Sequence, residues 1–256
     1  MLYYFLNLLL AFICLPYLYF AVRKLRKEIP VLPNAQDLTG TIAQNGADSL
    51  SVLFLGESAI AGVGVASNYD GLAGQVSMNL AQQYNKTITW EVIAHTGYDA
   101  QMVIDTLLPK LGDEPYDLVL IQLCVNDTLK LVPPVIYSVR IEKIINHLKN
   151  KYPKSKILFV NNAPIRDMSF PYLVKFILGN IMDEYGKVIE HLVVQHQDLY
   201  FINQKLKYSD WQRRYPNKSR EEFFSDGVHP SAFTFARWSE DICDFIKAKE
   251  ILNFKK

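Results

Sequence analysis

The chain has 256 residues, half of them apolar, and carries 27 Lys and Arg against 26 Asp and Glu. A net charge of +1 supplies no global field for nucleic acid or an acidic polymer, so partners have to be recognised locally. The three cysteines, Cys14, Cys124 and Cys243, lack close spacing, which argues against a disulfide framework and a zinc knuckle and leaves them as small buried apolar residues.

From the N-terminus, Leu2 to Val22 runs without a formal charge, long enough for a helix to cross a bilayer. Tyr3, Tyr4, Tyr17 and Tyr19 sit near its ends as interfacial aromatics do, and Arg23-Lys24-Leu25-Arg26-Lys27 follows at once. Residues 1–22 are therefore expected to form a single transmembrane helix. A cleaved signal peptide fits less well, because no basic region precedes the apolar stretch and no small-residue cleavage site follows it. Basic residues beside a span tend to stay in the cytoplasm, which places the rest of the chain there. Residues 23–48, with Pro30, Pro33, Asn34, Asp37 and Gly40, read as a basic flank and a linker.

Over residues 49–256, short apolar runs alternate with longer helical patterns, the sign of a mostly parallel sheet covered by helices. Strands are expected at Ser51–Leu55, Thr89–Ala94, Asp117–Cys124, Lys156–Asn161 and Leu199–Ile202. Val135, Ile136, Val139, Ile144, Ile145 and Leu148 fall at helical spacing, opposite Arg140, Lys143 and Asn146; the last helix carries Phe235, Trp238, Ile242, Phe245 and Ile246 in the same way. With no internal repeat, the economical reading is one three-layer α/β/α domain on a five-stranded sheet.

In such a fold the carboxyl ends of the strands line one edge, where ligands and catalytic groups collect. The first strand ends in Gly56-Glu57-Ser58, the second in His95-Thr96-Gly97-Tyr98-Asp99, and the third in Cys124-Val125-Asn126-Asp127. Ser225-Asp226-Gly227-Val228-His229-Pro230 comes just before the last helix. A serine after glycine is by itself ordinary turn chemistry. Together, however, these segments hold what acyl transfer needs: a hydroxyl nucleophile, a base, an orienting carboxylate and preorganised donors for an oxyanion. In that reading Ser58 attacks, His229 takes its proton, Asp226 orients His229, and the oxyanion is held by the Ser58 and Gly97 N–H groups and the Asn126 amide.

These blocks resemble those of the SGNH, or GDSL-like, hydrolase family of esterases and lipases, which supplies serine, glycine, asparagine and histidine in this order; the likeness spans roughly residues 50–248. It implies a flavodoxin-like sheet, a triad of Ser58, Asp226 and His229, an oxyanion hole of Ser58, Gly97 and Asn126, and neither a metal nor an organic cofactor. The chain departs from the family pattern twice. Glu57 stands where the first block usually has Asp, and Cys124 where the third usually begins with Gly, a residue that strains any turn needing positive φ.

Other features admit plainer readings. His95 could be imagined as the base, but spacing puts no carboxylate beside it; His147, His191 and His196 read as helix-surface residues without paired ligand spacing. Phe170 to Gly179 lines an acyl pocket, rests on a bilayer, or is a core helix. The cluster Arg213, Arg214, Lys218 and Arg220 suits a solvated loop better than an anionic headgroup. Three functional classes follow: a membrane-anchored hydrolase of small or medium acyl esters, lipids or thioesters; a carbohydrate O-acetyl hydrolase or transferase with the same triad; and a non-catalytic binding module on the same fold.

Overall fold

The computed structural model describes residues 2–28, 30–44, 48–161 and 163–252. Its centre is a six-stranded sheet in the order β1-β3-β2-β4-β5-β6, formed by β1 (Thr39–Ile42), β2 (Ser49–Gly56), β3 (Thr87–Ala94), β4 (Leu118–Gln122), β5 (Lys156–Phe159) and β6 (Leu199–Phe201). Strands β2 to β6 pair in parallel, whereas β1 runs antiparallel along β3 with Thr39 opposite Glu91 and Ile42 opposite Ile88. The sheet is thus mixed and six-stranded rather than five-stranded. Residues 39–42, which the sequence placed in a linker, form its edge; Thr-Gly-Thr-Ile has no apolar run to announce a strand, because an edge strand buries little.

The central strands are buried on both faces, as parallel strands between helical layers must be. Leu53 and Leu55 of β2 and Val119 and Ile121 of β4 pack toward α6 (Pro134–Lys151) and α7 (Tyr172–Val193). Val52, Phe54, Leu118 and Leu120 pack toward α3 (Leu72–Tyr84) and α9 (Ala232–Ala248). The buried face of α6 is Tyr137, Ile141, Ile144, Ile145 and Leu148, so Val135, Ile136 and Val139, expected on that face, lie outside it. Two apolar layers therefore clamp the sheet, and its carboxyl edge is left for short elements: α4 (Ala100–Met102), continued by a π-helical turn Val103–Leu107, α5 (Val125–Leu129) and α8 (Tyr208–Arg214).

The N-terminal segment is not one span. It forms α1 (Leu2–Ile13) and α2 (Leu15–Glu28), bent by 80° at the break, and among the described residues no single helix is long and apolar enough to cross a membrane. Pro16 explains the break: it has no N–H to give to residue 12, and its ring crowds that carbonyl. Tyr4, Asn7 and Ala11 are buried at helical spacing where α1 packs along α7, while Phe5, Leu6, Leu9, Phe12 and Ile13 stay exposed.

Candidate active site

Ser58 lies two residues past the end of β2, in the turn before Ala59-Ile60, and is half-buried. Glu57, the residue before it, is fully enclosed and turns back toward the end of β4. Its Oε1 accepts the backbone N–H of Cys124 at 3.0 Å and of Val125 at 2.8 Å; its Oε2 accepts the Asn126 N–H at 3.0 Å and the Asn126 side-chain amide. Burial pushes the Glu57 carboxyl above its ordinary range, against the pull of these donors. The longer carboxylate noted in the sequence thus ties the serine turn to the asparagine turn. Cys124 needs no positive φ there, since its φ of −175° is extended backbone. Its thiol is buried, and burial pushes it well above the usual thiol range, so it is no nucleophile.

The second block is fastened to the third through carboxylates. Asp99 caps α4 by accepting the Met102 N–H at 2.9 Å, and Asp127 accepts the Ala100 N–H at 2.8 Å. Arg140 from α6 reaches Asp127 at 3.0 Å, and Lys130 reaches Asp99 at 2.8 Å. Burial raises the Asp127 carboxyl, while the Lys130 partner and the Met102 N–H outweigh burial at Asp99 and lower it. Gly97 adopts φ +84°, and nothing lies within 4 Å of where a Cβ would stand, so its role there is conformational freedom beside open space. The Asn126 amide also donates to the Tyr98 carbonyl at 3.1 Å, so both of its protons are engaged.

The fourth block is a tight loop closed by a bridge between Phe224 and Pro230. Gly227, at φ +82°, turns the chain so that Asp226 Oδ1 accepts the N–H groups of Val228 at 2.9 Å and His229 at 2.7 Å. Asp226 Oδ2 meets His229 Nδ1 at 2.7 Å. Burial opposes ionisation of Asp226, but the His229 ring and these N–H groups outweigh it and hold the carboxyl below its ordinary value.

Ser58 and His229 line one cavity of about 50 Å³ with Gln122, Met168, Phe224 and Trp238. Among the hydrogen bonds of the described residues none joins the Ser58 hydroxyl to the His229 ring, although both line the same cavity. Met168 and Trp238 were not singled out for the site from sequence, because an apolar residue in a core pattern looks the same whether it faces the core or a cavity.

Several readings of single residues resolve here. His95 is exposed, stacks on Tyr98 with centroids 4.1 Å apart, and has the Thr96 carbonyl rather than a carboxylate at Nδ1. Phe170 to Gly179 enters α7, where Val174, Ile177 and Leu178 join the core; neither Phe176 nor Leu178 lines the Ser58 cavity. Arg213, Arg214 and Lys218 pair with Asp210, Asp241 and Glu222, and Arg220 lies over the rings of Tyr208 and Phe224. No group of three or more His, Cys, Asp or Glu suited to a metal occurs among the described residues.

A mixed sheet with a serine just beyond one strand end and a carboxylate–imidazole pair across the same edge is an α/β arrangement whose chemistry suits acyl transfer. A profile of the GDSL-like lipase/acylhydrolase family matches residues 54–235, and the chain belongs to that family of ester-hydrolysing enzymes. No curated protein sequence matches it. Among solved structures, TesA superposes with a TM-score of 0.58 at 16% identity, over 77% of this chain and 98% of its own. The lipase Lip_vut3 from a goat rumen metagenome gives 0.58 at 14%, over 76% and 96%. A family two carbohydrate esterase from Clostridium thermocellum gives 0.55 at 15%, over 78% of this chain and 64% of that one. At such identities the likeness is one of fold.

Proposed function

We propose that the protein hydrolyses carboxylic esters of short acyl groups through Ser58, His229 and Asp226. The observation that carries this is the Asp226–His229 bond at the cavity that also holds Ser58. Ser58 Oγ adds to the ester carbonyl while His229 Nε2 takes its proton, and the ring keeps its Nδ1 proton, hydrogen-bonded to the ionised Asp226 carboxylate. The Ser58 and Gly97 N–H groups and the Asn126 amide hold the oxyanion, the amide exchanging the Tyr98 carbonyl for it. His229 then protonates the departing alcohol, and water, activated by the same ring, releases the acid. The Ser58–His229 hydrogen bond forms as substrate binds, since catalytic hydrogen bonds often tighten only in the substrate complex.

The cavity supports a short acyl group: it is small, about 50 Å³, and walled by the side chains of Met168, Trp211, Phe224 and Trp238. A second cavity of about 370 Å³ adjoins it through Ala163, Pro164 and Leu206 and presents Arg166, Asp183 and Lys205. That polar neighbour favours, as a second reading, an O-acetyl hydrolase or transferase acting on a hydroxylated alcohol such as a carbohydrate.

Wild type and Ser58→Ala should be compared on p-nitrophenyl esters of rising chain length and with a fluorophosphonate label. Labelling lost in the variant, with acetate turned over fastest, is expected. Wild type that neither labels nor turns over would overturn the hydrolase reading in favour of a binding module. Acetyl transfer to an added sugar at the expense of water would identify the transferase.

The N-terminal pair is read as a membrane attachment with the catalytic domain on the cytoplasmic side. Supporting it are the exposed apolar side chains of α1, the exposed Tyr17, Tyr19 and Phe20 of α2, and the exposed Arg23, Lys24 and Lys27 beyond them. Because α1 is docked on the domain, a helix pair lying in the interface fits better than one straight span. Co-flotation with anionic vesicles checks the attachment, and digestion of the domain by protease outside intact spheroplasts would refute the orientation.

A further inference from the structure

The short helix α5, which carries Asn126, is held by three tyrosine hydroxyls. Tyr137 of α6 donates to the Leu123 carbonyl at 2.6 Å, just before it; Tyr4 of α1 donates to the Leu131 carbonyl at 2.7 Å, and Tyr185 of α7 to the Val132 carbonyl at 2.6 Å, just after it. The Tyr137 and Tyr185 rings stack with centroids 4.0 Å apart, so those two form one rigid unit within the core. Tyr4 differs in origin, since it comes from a helix outside the stretch, 54–235, that matches the family.

Leu131 is where this third support matters most. Its φ of +52° is a left-handed conformation that a leucine adopts only when its surroundings impose it. From within, the turn is closed by the Leu131 N–H donating to the Thr128 carbonyl and the Val132 N–H to the Asp127 carbonyl, each at 3.0 Å; Tyr4 braces it from outside, and α1 is itself tied down by Asn180 Nδ2 donating to Asn7 Oδ1 at 2.9 Å and by buried Ala11. An oxyanion donor contributes only when it stands where the charge develops, and a displacement of about 1 Å costs on the order of 100-fold in rate.

We infer that α1 is a working part of the hydrolase: Tyr4 is a positioning residue that, through the Leu131 carbonyl, sets the turn presenting Asn126 to the oxyanion. The membrane-attachment segment and the oxyanion hole are therefore mechanically joined, and seating or release of α1 tunes turnover. This rests on the assignment of Asn126 as an oxyanion donor.

The test is a double-mutant cycle in the full chain on p-nitrophenyl acetate, with melting midpoints recorded. Tyr4→Phe is expected to lower kcat about tenfold with KM unchanged, and Asn126→Ala about 100-fold. In the Asn126→Ala background, Tyr4→Phe should have no further effect, because the donor it positions is gone. Asn7→Ala, which loosens α1 without touching Leu131, should repeat the pattern and serves if Tyr4→Phe melts early. Unchanged kcat in Tyr4→Phe, a change confined to KM, or equal losses in both backgrounds would overturn the inference. A fully active Asn126→Ala would instead overturn the oxyanion assignment, and with it this inference; absence of turnover in wild type would overturn the hydrolase reading beneath both.

Discussion

Glu57 shows what one methylene changes. With its carboxylate one carbon further from the backbone than an aspartate's, it spans three consecutive N–H groups at the start of α5 and the Asn126 amide besides. Glu57→Gln replaces one acceptor oxygen by an NH₂ that faces these donors, leaving buried groups unpaired. A loss of about 2–3 kcal/mol in urea unfolding is expected, with ester turnover reduced; an unchanged midpoint would contradict the bonding described. Asp226 makes a pH-dependent contribution of definite sign. Its carboxyl lies below the ordinary value in the folded chain, so its ionised form stabilises the fold above the unfolded-state value of about 4, and that stabilisation is lost as pH falls further. The stability gap between wild type and Asp226→Asn should therefore shrink as the pH falls below about 4. Over the neutral range the variant should also lose about 10³- to 10⁴-fold in kcat, since an amide no longer fixes the His229 tautomer.

At the scale of elements, the site depends on short helices whose placement is electrostatic. Asp127, with its side chain 1% exposed, joins α4 to α5 and meets its cation, Arg140, from α6. Arg140→Met would leave a buried carboxylate without its cation, and thermal unfolding should show a loss of about 3 kcal/mol, much more than for an exposed pair such as Lys151–Asp113. Raising the acidity should narrow that loss, because burial already lifts the Asp127 carboxyl and protonation removes the unpaired charge. The bend between α1 and α2 follows from one residue, Pro16, in a stretch whose composition alone reads as a span.

At the scale of the whole molecule, the sheet gathers four distant segments at one edge, and side chains between them wall the cavity that Ser58 and His229 share. Met168 is buried and lines the cavity beside Ser58. Met168→Ala enlarges it without breaking a hydrogen bond, so the ratio of kcat/KM for butyrate over acetate should rise about tenfold, the value of a methylene or two in an apolar pocket. A ratio unmoved by this change would place the acyl group elsewhere.

The positions of the five parallel strands, the mostly parallel character of their sheet, and the polar segments holding Ser58, Gly97, Asn126 and the Asp226–His229 loop were legible from periodicity and motif order. The five expected strands are present, each shifted by at most a few residues at its ends. Local signals of that kind survive because a buried strand must be apolar and a strand end must turn. What sequence could not carry was anything decided by a partner far along the chain. The antiparallel edge of β1 is set by pairing with β3, the docking of α1 by Asn180 and Leu131, and the fit of Glu57 by three N–H groups more than 60 residues away. The order of the blocks belongs to the one-dimensional chain; the size of the cavity, the commitment of the Asn126 amide and the hold of α1 on the turn beside it come from packing, which brings together side chains that no local pattern relates.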